Sequence, residues 1–585
     1  MFFRFFRLVL LFTAALSGST AAQLTQGQAW HIVEILLSHQ NPLVLVEEIS
    51  HDGFTFETVG TTTTVRVEAP RIPGRAAFAP VMAINLSPSG DDLVQVQVVR
   101  IATSTKMPDG GQVSFRPTVF QGLYSRADQG FQSMVFGLSD LAYQQGDNQF
   151  TLDRFEVDLA TKQGAHILNL RARGFAADFQ DVMDFKESAG ELTLSLSIDE
   201  NQAKSSDLMV IANRFFEALI DPGFENTNAA GRARVIPDSL VGLRFNLSLR
   251  DFKTHWLALR DQGPRETLAS LDLGALVLSG SVEQSGVGDR ARLSLTMSLE
   301  NANLNQGDDA MAAQAAAFGL RFILEGMDPE IFSQLFSGQE GGQSAALGQL
   351  LAHMDTLSIS GTGTDLHVES VGESALLSLP SGGFEMRVSS PYVGAPNYKD
   401  VALALDLDGL KMAYPALTAG LEPASSELIE PILPDLLDLR LEMTTLPGDV
   451  WMGVSSLLID RDAFVKDTTP PAQSMAIRFD GTHFRSQLLE ARLSGTLTLD
   501  PDAAAFAVGN LKLELNDLRA LMAAMQRAAR VPNRTMAQLF TLGSVGLAAI
   551  SGYGEPGGNE TQIFNFEFQK ESFPTINGRA LPIDF

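Results

Sequence analysis

The sequence predicts an α+β protein that is mainly β: long curved antiparallel sheets with covering helices, arranged as two β-rich halves. Two observations carry this. Apolar residues alternate with polar ones through most of the chain, as in FTFETV from Phe54, TTTVRVEA from Thr62, LVQVQVVRI from Leu93 and FEVDLA from Phe155. Clusters of Gly, Asp, Asn and Pro separate these runs at short intervals, as a meander of antiparallel strands requires. A third observation, a few segments with apolar residues at helical spacing, adds the covering helices.

Taken in order, residues 1–22 read as a signal peptide. Arg4 and Arg7 make a short basic start, Leu8 to Leu16 is an apolar run too short to span a bilayer, and Thr20-Ala21-Ala22 supplies small residues at a cleavage site. The expected location is therefore exported and periplasmic. The N-terminal β-rich half is expected over 23–307. It opens with an amphipathic helix over 24–39, with Ala29, Trp30, Val33 and Leu37 on one face, and holds a second helix near 204–220. Residues 308–356, rich in Ala, Gln and Met, read as a helical connector. The C-terminal half, 357–585, contains further strands, a Pro-rich stretch at 415–434 and two helices near 517–530 and 535–550.

One short pattern recurs. Leu249-Arg250-Asp251-Phe252-Lys253, Leu407-Asp408-Gly409-Leu410-Lys411 and Leu515-Asn516-Asp517-Leu518-Arg519 each follow an alternating run, and Leu138-Ser139-Asp140-Leu141 is a weaker copy. Asp, Asn or Gly turns the chain and can cap a helix. Each copy is thus expected to be a strand, a cap and a helix or turn seated over the buried face.

The C-terminal part, with GTLTLDPDAAAFAVGNLKLELNDLRALMAAM from Gly495, a helical pair, a strand and INGRALPI from Ile576, resembles an uncharacterised alphaproteobacterial family, number 2125 among domains of unknown function. More widely, the chain resembles the AsmA-like envelope proteins of bacteria. The resemblance implies a role in envelope maintenance and, from the large members of the superfamily, a lipid-conducting groove. It brings no catalytic residues.

Composition narrows the function classes. The formal net charge is -27 and there is no Cys among 585 residues. An acidic chain lacks the basic face that nucleic acid needs. Without Cys there are no disulfides, thiolate metal sites or cysteine nucleophile. The 37 Phe against 6 Tyr and 3 Trp point to aromatic residues used as buried filling. The same shortage of Tyr and Trp, together with Pro582 in the last alternating run and the interrupting helices, argues against an outer-membrane barrel.

Few motifs in the chain could carry chemistry. Gly552, Gly554 and Gly557 match GxGxxG, but the string follows a helix and contains Pro556, so a helix-ending turn is expected rather than a cofactor site. The eight His show no metal-ligand spacing and no nucleophile elbow occurs. No enzyme activity, cofactor or metal is expected. The feature that stands out is basic: between Asn516 and Gly554 the charges are Arg519, Arg527, Arg530 and Arg534 against Asp517 alone. They are candidates for contact with an anionic lipid surface or an acidic partner, or for pairing with the protein's own carboxylates. The function expected is a non-enzymatic envelope protein that binds lipid or another apolar ligand. The alternative is a structural or assembly factor that binds other envelope proteins.

Overall fold

The computed structural model describes residues 24–37 and most of 50–199, 241–328, 354–413, 430–447 and 475–580. The expected signal peptide, the helix near 204–220, residues 329–353 and residues 414–429 lie outside the described residues. The protein is mainly antiparallel β, as the alternation predicts, and divides into two compact units at Ala291/Arg292.

In the first unit, α1 (Gln26–Leu37) precedes twelve strands. Ala29 and Val33 of α1 are fully buried, and Trp30 stacks on Phe54 with ring centroids 3.7 Å apart. The strands are β1 (Gly53–Val59), β2 (Thr62–Glu68), β3 (Val81–Pro88), β4 (Leu93–Arg100), β5 (Ser104–Lys106), β6 (Gln112–Ser125), β7 (Gly130–Gln145), β8 (Asn148–Lys162), β9 (Ala165–Gln180), β10 (Asp184–Asp199), β11 (Arg244–Leu257) and β12 (Thr267–Gln284). Each pairs antiparallel with the next, except that β4 passes over the short β5 to pair with β6. Residues directly opposite in an antiparallel ladder share a face. Phe120, Phe136, Val157, Leu170, Leu194, Leu247 and Leu278 therefore form one apolar row across seven strands. Its central members are sealed, with Phe136, Val157 and Leu194 at most 1% exposed. The neighbouring row on the other face is polar: Asp158, Asn169, Ser195, Asn246 and Ser279.

The second unit begins with β13 (Ala291–Gln306), β14 (Met311–Met327), β15 (Thr356–Ser370), β16 (Ala375–Ser389), β17 (Tyr398–Asp408) and β18 (Lys411–Ala413). It continues with β19 (Pro434–Pro447), β20 (Ala476–Ser486), β21 (Glu490–Leu499), β22 (Ala507–Asn516), α2 (Leu518–Ala528), α3 (Arg534–Ser551), β23 (Glu555–Pro556), β24 (Thr561–Phe568), β25 (Thr575–Ile576) and β26 (Arg579–Ala580). The expected helical connector is corrected here: its first third is strand β14, paired with β15 over most of its length. Ala-rich composition favours helix by only a few tenths of a kcal/mol per residue. Phe318, Leu320, Phe322 and Leu324 alternate, and the row they complete on the neighbouring strands decides the outcome.

The recurring Leu-x-Asp/Gly-Leu/Phe pattern is corrected at two of its copies, Asp140 and Asp251, and gives the expected turn at Gly409 and helix at Asp517. A helix follows only one copy, at Asp517; β7 and β11 run straight through Asp140 and Asp251, and after Gly409 the chain resumes as β18. What the copies share is a left-handed residue: Asp140 (φ 52°), Asp251 (φ 52°), Gly409 (φ 71°) and Asp517 (φ 55°). In the first unit these positions line up. Asp140 lies opposite Asp153, which lies opposite Gly174 (φ 63°), which lies opposite Gly190, beside Asp251.

The file of residues resets the alternation. On one side of it Leu138, Phe155 and Ala172 face the core; on the other, Leu141 and Leu152 do. A left-handed residue adds a local twist and a residue that belongs to neither face, so two apolar residues three apart both point inward. This is the physical meaning of the repeat. On alternate strands of the file, Asp140, Gly174 and Asp251 are the left-handed residues, and Asp and Gly fill those positions because they tolerate positive φ.

Candidate functional site

The apolar face of the second unit is built by direct cross-strand pairs. Phe322, Ile359, Met386, Leu403, Leu441, Phe479, Gly495, Leu511 and Phe566 form one row across nine strands, β14 to β24. At about 4.8 Å per strand it runs about 38 Å. A second row holds Leu324, Leu357, Val388, Val401, Met443, Ile477 and Leu497, and a third Leu320, Gly361, Phe384, Leu405 and Leu439. The Phe384 ring lies over Gly361, where a Cβ would collide with it. The opposite face carries Ser358, Arg387, Glu442, Arg478, Thr496 and Asn510, with an Arg478–Glu442 ion pair at 3.6 Å.

Burial is uneven along this face. Two corners are sealed. At one, Leu324, Leu357, Val388 and Val401 are no more than 4% exposed and lie with the buried Met327 and Met354. The buried Lys399 belongs here too. Its Nζ donates to Ser390 Oγ at 2.7 Å and to the Met354 carbonyl at 3.5 Å, and burial pushes its pKa down to about 8, against the opposing pull of Asp355.

The other corner is closed by the helices. Leu515, Leu518, Phe564 and Ile576 form a buried cluster against which Met522, Leu547 and Ile550 pack. The Asn577-Gly578 turn between β25 and β26 pins the tail there, Asn577 Nδ2 donating to the carbonyls of Tyr553 and Ile563 at 2.8 Å. Between these corners Phe322, Met386, Leu403, Leu441, Phe479, Leu497 and Leu511 are only half-buried, and Phe384 is exposed. The first unit's apolar row is sealed over its central strands, at Phe136, Val157, Leu170 and Leu194, and half-buried at Leu278, whereas this row is half-buried through its centre.

The four arginines singled out in the sequence sit on the helical pair. Arg519, Arg527 and Arg530 are exposed, and none forms an ion pair with a described carboxylate. Arg527 donates only to the Ala523 carbonyl of its own helix, at 3.3 Å. Arg534 is the first residue of α3. The GxGxxG string forms the turn after α3 and then β23, which pairs with β24.

One cleft gathers titratable groups in the first unit. It is about 370 Å³ and is lined by Asp178, Lys186, Glu187 and His255 among others. Lys186 pairs with Asp178 at 3.0 Å, and burial raises the Glu187 pKa. Lys186 lies opposite both Asp178 and His255, whereas Glu187 lies opposite Ala177 and Thr254. Strand alternation thus sends Glu187 to the other face from the imidazole, and the pair is not set up for joint acid–base work. Among the described residues, no group of three or more side chains could hold a metal ion and no helix is long and apolar enough to cross a membrane.

Comparison of the chain with family models, curated proteins and solved structures finds no match. Sequence reading found the arginines. It expected a long sheet with one apolar side but did not place 311–327 in it, and it missed Lys399, for which no sequence signal exists.

Proposed function

We propose that this chain is an exported, non-enzymatic envelope protein that binds lipid or another apolar ligand along the second unit's sheet. The observation that carries the reading is the nine-strand apolar row, half-buried between two sealed corners. Leaving several large apolar side chains part-exposed on one contiguous face costs roughly 25 cal/mol for every Å² left in water. Contiguous apolar surface of this kind marks a binding face. The resemblance to the AsmA-like envelope proteins supports the same reading.

The test is mass spectrometry of an organic extract from protein purified without detergent, beside the double variant M386E/L403E. Stoichiometric lipid in the wild type and its loss in a folded variant are expected. A clean extract from folded wild-type protein would sink the proposal and favour the assembly-factor reading, in which the face binds other envelope proteins.

A further inference from the structure

We propose that α2 and α3 form a docking surface for an anionic lipid bilayer, separate from the apolar face of the sheet. The inward sides of both helices are occupied by the cluster around Leu518 and Phe564. Their outward sides have unlike chemistry. On α2, Leu518, Leu521, Ala524 and Ala528 are buried, and Arg519, Ala523, Arg527 and Arg530 share the exposed side. On α3, Ser544 is buried, and the exposed side carries Leu542 (69% exposed), Val545 (60%), Gly546 and Ala549 at helical spacing. The helices touch, Gly543 lying against the Met525 thioether. Cations and apolar side chains therefore stand side by side on one paired element.

Charge names the occupant. Residues 518–551 contain four arginines and no acidic residue, in a chain of net charge -27. A purely solubilising helix surface would follow the acidic bias of the rest. Arg534 opens α3, where the helix dipole disfavours a cation, so local helix stability does not explain its placement. An apolar stripe beside arginines fits the boundary between headgroups and acyl chains: Leu542 and Val545 enter the apolar layer while guanidinium groups meet phosphates. The remaining carboxylates oppose this weakly, because at physiological salt their field falls off within about 8 Å. An acidic protein would also match the cations, but a bilayer supplies an anionic layer and an apolar layer side by side, as the two helices present them.

The test is co-sedimentation of the full chain with vesicles of phosphatidylcholine alone or mixed with phosphatidylglycerol. Binding is expected only to the anionic vesicles and should weaken as salt rises. R519S/R527S/R530S should weaken it about fivefold for each arginine lost. R519K/R527K/R530K should retain it, and L542S/V545S should abolish it; all of these positions are exposed, and unchanged melting of each variant shows that the fold is kept. Wild-type protein that ignores anionic vesicles, or serine variants that bind as well as wild type, would overturn the proposal. Lipid recovered from the organic extract reports on the sheet face and is unaffected by these substitutions, so the two proposals fail separately.

Discussion

Asp153 and Gly174 face each other across β8 and β9, and the Asp153 carboxylate occupies the space a Cβ on Gly174 would need. Gly174 is also left-handed, at φ 63°. Gly174→Ala therefore meets two penalties, backbone strain and a steric conflict, whereas Gly60, equally left-handed with nothing within 4 Å, meets only the first. Strain alone costs about 1–2 kcal/mol. Gly174→Ala should lower the urea midpoint clearly more than Gly60→Ala; equal losses would show that Asp153 yields freely.

Asp251 holds the same kind of position within β11. Asp251→Gly should be tolerated or slightly stabilising. Asp251→Val should cost about 1–3 kcal/mol, because a β-branched side chain resists positive φ. Thermal melts of the two variants check this, and a stable valine variant would remove the left-handed residue as the reason for the repeat.

Lys399 is almost wholly buried, its pKa near 8 lying below the value of about 10.4 expected in the unfolded chain. Between those values the unfolded chain binds more protons than the folded one, so this group's contribution makes stability rise with pH across that window. Below pH 8 the cost of the buried cation is constant, at about 3 kcal/mol. Lys399→Met should be more stable than wild type at pH 7, since Ser390 Oγ still donates to the Met354 carbonyl at 3.0 Å. The difference should shrink as pH approaches 10. Denaturation from pH 7 to 10 measures it, and a gap that does not change with pH would contradict the assignment.

Leu518 ties α2 to the sheet through the cluster with Leu515, Phe564 and Ile576. Leu518→Ala should cost about 2–5 kcal/mol. Hydrogen exchange should quicken in α2 and α3 before it does in β15 or β16. Uniform loss of protection would mean that the helices and the sheet open as one unit.

Much of the fold was legible in particular residues. Val65 and Val67 in β2, or Val94 and Val96 in β4, alternate cleanly because one side of each strand is buried and the other is not. Met311–Met327 was not read as strand because alanines obscured its period, and only pairing with β15 resolves it. Of the site, Arg519, Arg527, Arg530 and Arg534 were visible as a local excess of charge. Lys399 was not, because its role depends on Ser390 and Met354, residues that lie just after β16 and just before β15.

The sequence alone determined which residues alternate, where the chain can adopt positive φ, and where cations gather without acids. These are local properties, set by side-chain chemistry and backbone sterics within a few residues. Tertiary structure alone decided that Asp140, Asp153, Gly174, Gly190 and Asp251 would form one seam, and that the apolar residues of nine strands would join into a single face left partly open. Register creates those relationships. It is fixed by the cooperative matching of neighbouring strands, which no single stretch of sequence contains.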